Sequence, residues 1–333
     1  MDIAVVASRI GEGHFTRSPW YLYRDRLEKV GFRIHLYEDS LAGFRTRHDA
    51  IILFVSFNWL HDVNFPSDVV MPYFQHLAIY RYEYPDCINI VLHHWDMIDV
   101  PFAVPLWRPG DPVLLRTPYY DRSRHFPLSN SVIGSYELDY APKDRFKQHN
   151  EIRYMAGFIG KRNFRPPGNL LVDGQLIPNP HANWRERIAN ETSRVGIGVC
   201  ADARTYSQRD HDSIISSCRI IVCPRGWGPQ SRRHWDAWFS GKPVLTDRFC
   251  DEVEMIPGTR LKEGVHYLVF DAPEDIPDIV SEWTRPSRAD DLQQIAENGR
   301  RAALSYDGFE HMLGFFRKIQ MNTKLEHLLP NTE

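Results

Sequence analysis

The sequence predicts a doubly wound α/β protein built in two halves, and three observations predict it. Short, continuous apolar runs, which suit strands buried on both faces, alternate with amphipathic helical stretches. That rhythm occurs twice, on either side of Pro142–Asn150. The chain's 333 residues allow two domains of ordinary size, and 43% apolar with 25% charged residues suits a soluble globular core.

In the first half, Ile3–Ala7 is a short apolar strand that runs into the polar loop Ser8–Ser18. Pro19 suits the first position of an amphipathic helix reaching about Val30, with Gly31 as its stop. Phe32–Glu38 alternates like a strand, and Ala50–Ser56 and Ile88–His94 are continuous apolar strands flanking a helical stretch near Val69–Tyr82. The second half opens with the strand Arg153–Gly160 and a loop, Asn163–Asn183, rich in Pro, Gly and Asn. A helix over about Trp184–Thr192, the strand Val195–Val199, a helix near Asp210–Cys218 and the strands Arg219–Pro224 and Pro243–Asp247 follow. His266–Phe270 reads as a further edge, and Ile276–Thr284, Ala289–Leu304 and Phe309–Leu325 read as helices.

Composition removes several function classes. No apolar run is long enough to span a membrane, and the first residues lack the pattern of a signal peptide. Five scattered cysteines without CxxC spacing suit reduced thiols in the cytoplasm. A net charge of −3 exerts no global pull on nucleic acid, so any such contact rests on local patches. The run Arg116–Arg124, which interleaves arginines with tyrosines, is the candidate patch for backbone contact and stacking.

The densest chemistry lies in IIVCPRGWGPQSRRHWDAWFSGKPVLTD, Ile220 to Asp247. It reads as strand, Gly/Pro turn, short helix and strand. The turn and the start of the helix carry Arg225, Gly226, Gly228, Ser231, Arg232, Arg233 and Asp236. A helix N-terminus offers unpaired N–H groups and a positive dipole end, and arginines add bidentate donors, so this pattern suits a diphosphate. Asp236 could take a sugar or ribose hydroxyl. Lys161, Arg162 and Arg165, just after the strand Arg153–Gly160, could complete the cationic cradle.

Asp96 follows the strand Ile88–His94 and is well placed as a general base. Neighbouring His93 and His94 would face opposite sides of a strand, which argues against a shared metal site. The loop Gly11-Glu12-Gly13-His14 carries Thr16 where a dinucleotide fingerprint needs its third glycine. Asp210-His211-Asp212 matches a DxD metal motif in form, but it falls where a helix should start, with Ser207 and Asp210 as caps.

These residues resemble the GT-B glycosyltransferases. SRRHWDAWFSGKPVLTD is similar to the donor-binding stretch of exostosin-like enzymes, and the C-terminal EGVHYLVF and EDIPDIV fit the same pattern. A narrower resemblance, to the DNA β-glucosyltransferase family of T-even phages, rests on Ser18–Leu36, His48–Leu60, Ile88–Phe102, Gly157–Arg165 and Arg233–Asp236. It implies two Rossmann-like domains facing a central cleft, over 1–147 and 148–308, with residues 309–333 returning to the first. Asp96 then becomes the base, Arg162, Arg165 and Arg233 the diphosphate ligands, and Asp236, one carbon shorter than the family's Glu, the ribose partner. His14, Asn58, Arg116 and Tyr119 are acceptor-side candidates.

The implied reaction is inverting transfer of a sugar from a nucleotide-sugar, a UDP-sugar in the first instance, to a hydroxymethylated pyrimidine in duplex DNA. No cofactor is obligatory in that chemistry, and stimulation by a divalent cation stays open. A monomer is expected, in the host cytoplasm if the chain is phage-encoded. A glycan, lipid-linked or protein acceptor is the alternative within the same fold, and a non-catalytic nucleotide-sugar or nucleic-acid binding module is the alternative outside it.

Overall fold

The computed structural model describes residues 1–7, 23–38, 46–56, 78–94, 111–115, 118–121, 123, 132–135, 151–160, 169–172, 175–178, 183–195, 198–201, 207–225 and 231–326. The chain forms two compact units, Met1–Asp139 with Asp307–Glu333, and Tyr140–Tyr306.

The first unit holds six parallel strands: β1 (Asp2–Ala7), β2 (Arg33–Glu38), β3 (Ala50–Ser56), β4 (Ile88–His94), β5 (Val113–Leu115) and β6 (Val132–Ser135), in the order β2-β1-β3-β4-β5-β6. β5 and β6 were not anticipated, because strands of three and four residues are too short to show a period. Consecutive residues Ile3, Ala4 and Val5 are all buried, as in a strand covered on both faces. Helix α1, described over 23–29, turns Tyr23 and Leu27 inward, one turn apart. It stops at Gly31, whose φ of 93° only glycine adopts readily. The Gly31 and Phe32 N–H groups close a Schellman cap on the Glu28 and Leu27 carbonyls at 3.1 and 3.0 Å. Helix α2 is described over 78–83.

The second unit repeats the plan. β7 (Tyr154–Ile159) is followed by an antiparallel hairpin of β8 (Asn169–Val172) and β9 (Gln175–Pro178), where the sequence reading placed only a loop. Then come α3 (Trp184–Arg194), β10 (Gly198–Ala201), α4 (Gln208–Ser217), β11 (Cys218–Val222), α5 (Arg232–Phe239), β12 (Val244–Asp247), β13 (Leu268–Phe270), α6 (Ile276–Trp283) and α7 (Ala289–Ser305). The five parallel strands take the order β10-β7-β11-β12-β13. Within His266–Phe270, expected as an edge, β13 forms the edge strand of this sheet beside β12. One core face joins Ala156 and Phe158 of β7, Ile220 and Val222 of β11, Ile188 and Ala189 of α3, and Leu292 and Ile295 of α7.

The last helix, α8 (Gly308–Glu326), belongs to the first unit. Its Phe309 ring stands edge-on to Tyr23 at 5.7 Å, and Phe316 lies 5.5 Å from Phe32. Two aromatic pairs thus fasten α8 to α1 and to Phe32, the residue before β2.

Candidate functional site

In the second sheet β10 lies on one flank of β7 and β11 on the other. The chain therefore leaves in opposite directions from the gap between β7 and β11, the switch point at which open α/β sheets bind ligands. Gly160 ends β7's run, and Cys223, Pro224 and Arg225 continue from β11. α5 then re-enters at this same place.

Arg233, in the first turn of α5, lays its guanidinium on the end of β7. The guanidinium carbon is 5.3 Å from the Phe158 ring centre, and Nη1 donates to the Pro224 carbonyl at 3.3 Å. Gly160 makes the room: a Cβ there would stand 3.1 Å from Arg233 Nη2 and 3.1 Å from Phe158 Cζ. Burial lowers the Arg233 pKa, while Cys223 and Asp236 oppose the shift. Among the described residues no carboxylate lies within ion-pair distance of this guanidinium. Its neighbours differ: Arg225 Nε is 3.2 Å from Asp247, and Arg232 Nε is 3.6 Å from Asp236.

The start of α5 is pinned from below by His234. Its Nδ1 receives the Ser231 N–H at 3.1 Å, which puts histidine in the place Glu or Gln holds in a capping box. Its Nε2 lies 3.1 Å from Thr246 Oγ1, and that hydroxyl donates to the Cys223 carbonyl at 2.8 Å. The far end of α5 turns straight into β12 through Gly241, φ 67°, where Gly241 and Lys242 N–H groups cap the Trp238 and Ala237 carbonyls.

Asp247, the last residue of β12, is buried and accepts the Arg225 N–H at 2.8 Å. Burial raises its pKa, and the Arg225 charge and N–H pull it back. The Arg225 guanidinium in turn lies 4.9 Å from the Phe249 ring and 5.7 Å from the Trp184 ring.

Of the site residues expected from sequence, Ser231, Arg233 and Asp236 lie at or in α5, and Arg225, just past β11, pairs with Asp247 at the end of β12. Asp236 is 1% exposed, and its carboxylate faces Arg232 and, at 3.9 Å, His211 Nε2. Tyr119, an acceptor-side candidate, is buried in the first unit. Asp96, Lys161, Arg162, Arg165, Gly226, His14, Asn58 and Arg116 lie outside the described residues. In the DxD-like run, Ser207 caps α4 by accepting the Asp210 N–H at 3.2 Å, and Asp212 stands 3.3 Å from His211 Nδ1. Among the described residues no three His, Cys, Asp or Glu side chains are grouped to hold a metal ion.

Sequence reasoning missed His234, Asp247 and His211. A carboxylate closing a buried strand was a readable signal for Asp247. Nothing in the sequence distinguished His234 from a core histidine.

No family model matches the sequence, and a search of curated proteins finds no significant match. Solved structures do share the fold. An α-glucosyltransferase in complex with UDP and a 13-mer DNA containing an HMU base is 13% identical, with a TM-score of 0.54 over 97% of this chain and 99% of that one. A glycosyltransferase from Rickettsia africae is 9% identical, with a TM-score of 0.53 over 97% and 98% of the two chains. HepE of Anabaena, in complex with UDP, is 10% identical, with a TM-score of 0.52 over 96% and 100%.

Proposed function

We propose that this chain, which has the GT-B glycosyltransferase fold, moves a sugar from a UDP-sugar to the hydroxymethyl group of a modified pyrimidine in DNA, with inversion. One observation carries the donor half of this reading. Arg233 is a half-buried cation at the sheet's switch point, with no carboxylate partner among the described residues. A buried cation requires an anion or strong acceptors, and a diphosphate supplies both. The UDP held by two of the proteins that share this fold supports the same choice of ligand.

In this reading Arg233, Arg225, Lys161, Arg162 and Arg165 surround the diphosphate, together with Ser231 at the α5 N-terminus. Gly226 lets backbone approach it, and Asp236 takes a ribose hydroxyl. Asp96 accepts the proton of the acceptor hydroxyl as its oxygen forms a bond to the anomeric carbon. The bond from that carbon to the diphosphate oxygen breaks, and the electron pair leaves with the diphosphate. The arginines neutralise the charge that develops there, so a metal is not obligatory and a divalent cation would only add to the rate. His14, Asn58, Arg116 and Tyr119 serve the acceptor. The enzyme works as a monomer in the cytoplasm, the host's if a phage encodes it.

The acceptor assignment draws on the fold's presence in an α-glucosyltransferase bound to DNA containing an HMU base. The test is incubation with a panel of nucleotide sugars and either hydroxymethylated duplex DNA or saccharides. Mass spectrometry of the nucleosides reads transfer, and the anomeric coupling in an NMR spectrum of the product reads inversion. A hexose on the modified nucleoside is the expected product. Transfer to a saccharide alone would assign a glycan acceptor, and no transfer from any donor would leave a binding module.

A further inference from the structure

Beneath the first turn of α5 lies a fully buried polar group that donor chemistry does not use. His234 has no solvent exposure, and each of its ring nitrogens has a partner. Thr246 Oγ1 gives its one proton to the Cys223 carbonyl, so it can only accept from His234 Nε2. For a neutral ring, Thr246 therefore assigns the tautomer with hydrogen on Nε2. Nδ1 lies 3.1 Å from the Ser231 nitrogen and hydroxyl oxygen and 3.3 Å from the Ser231 carbonyl oxygen; with the hydrogen of a neutral ring on Nε2, it accepts the Ser231 N–H. Cys250 Sγ, 3.1 Å from Thr246 Oγ1, can fill the second acceptor position of the hydroxyl. Three elements meet at this imidazole: the start of α5, the end of β12 and, through Thr246, the end of β11.

We propose that His234 is the positioning residue of the donor site, a neutral imidazole that ties the first turn of α5 to the strand ends and so holds Arg233 against Gly160. The proposal rests on the reading of Arg233 as the diphosphate ligand. Arg233 adjoins His234 in sequence, and its Nη1 bonds to Pro224, the residue after Cys223. A shift of the α5 start relative to β11 would therefore move the guanidinium off the switch point. Burial, reinforced by the Arg233 charge, pushes the His234 pKa down to about 3.

The test is calorimetric titration of the full chain with UDP and with uridine. His234→Phe keeps the ring volume and removes both hydrogen bonds. It is expected to weaken UDP binding about tenfold and leave uridine binding nearly unchanged, the loss due to one or two buried hydrogen bonds. His234→Gln, which can accept with its oxygen and donate with its nitrogen, should recover most of that loss. Thr246→Val should weaken UDP to a similar extent. The double variant His234→Phe/Thr246→Val should lose little more, since both act through one chain of bonds.

Parent-like UDP affinity in a folded His234→Phe protein would reduce His234 to a core filler. Strictly additive losses in the double variant, or no recovery in His234→Gln, would also overturn the proposal. Thr246→Val and His234→Gln decide the matter should the phenylalanine variant not fold. Arg233→Ala is the control: parent-like UDP binding there would sink the underlying donor-site reading rather than this inference.

Discussion

The two sheets share one strand order, yet their described polar clusters occupy opposite ends. Counted within each unit, both run 2-1-3-4-5 from one edge, and the first continues to a sixth strand. In the second unit Arg233, His234, Thr246 and Asp247 crowd the C-terminal ends of β7, β11 and β12. In the first unit the described cluster sits where strands begin. Asp2 opens β1, its N–H bonds to Asp49 just ahead of β3, and His35 of β2 reaches Asp2 at 3.2 Å. His48, beside Asp49, is buried against Tyr80, whose hydroxyl receives the His48 N–H at 2.9 Å. In open parallel sheets ligands bind beyond the C-terminal strand ends. The comparison therefore fits a structural role for the first unit's cluster and the proposed donor role for the second unit's.

The largest effect should come from the proposed base, which follows β4 in the sequence. Asp96→Ala is expected to cut transfer by about 100- to 10,000-fold, the usual contribution of a general base, while UDP still binds. Sugar transfer at the parent rate would move the base elsewhere.

Two glycines of the second unit separate the roles more finely. At Gly299 of α7 an added Cβ would stand 2.7 Å from the His266 carbonyl oxygen and 2.7 Å from Trp238 Cδ1. Gly299→Ala should cost roughly 1–3 kcal/mol of stability in chemical denaturation, by overpacking the α5–α7 contact. Gly160→Ala meets the guanidinium instead, so it should weaken UDP several-fold with a smaller stability loss. The comparison breaks if the two variants swap these phenotypes.

Protonation should expose the same division. The His234 pKa is lowered from 6.5 to about 3, so the unfolded chain holds the extra proton between those values. Its contribution is fully present above pH 6.5 and is lost as pH falls towards 3, at a limiting slope of about 1.4 kcal/mol per pH unit. Denaturation curves of His234→Gln should show a shallower acid loss than the parent.

Asp2 gives the smallest effect. Its hydrogen bond to His35, with the nearby Arg33 charge, lowers its pKa below 3.8. The stabilisation is present above pH 3.8 and lost as pH falls through the lowered value. The side chain is 43% exposed, so Asp2→Asn should cost no more than about 1 kcal/mol at neutral pH. UDP affinity should not change.

Sequence reading recovers the elements whose pattern is long or punctuated. Gly31 is legible as a helix stop because the αL position after a helix favours glycine. The apolar runs behind β3, β4, β7, β11 and β12 are legible because strands buried on both faces need no alternation. The β8–β9 hairpin was missed although Asp173-Gly174 separates its strands, a two-residue turn signal outweighed by the surrounding Pro, Gly and Asn. At the site, Arg233 and Ser231 were legible through the helix-start pattern. The proposed role of His234 was not, because its partners Thr246 and Cys223 lie 12 and 11 residues away and meet it only in the folded sheet. Asp236 was read as a ribose ligand from its place after the helix start and from the family resemblance, and neither carried a sign of its burial beside His211.

The most direct test titrates UDP into two variants that differ by one position. Arg232 already faces Asp236, whereas Arg233 has no carboxylate partner among the described residues and lies at the switch point. Arg233→Ala is predicted to weaken UDP binding about 10- to 100-fold, the loss expected for a charge-assisted bidentate contact, and Arg232→Ala far less. Equal losses, or a larger loss at Arg232, would contradict a donor site centred on Arg233.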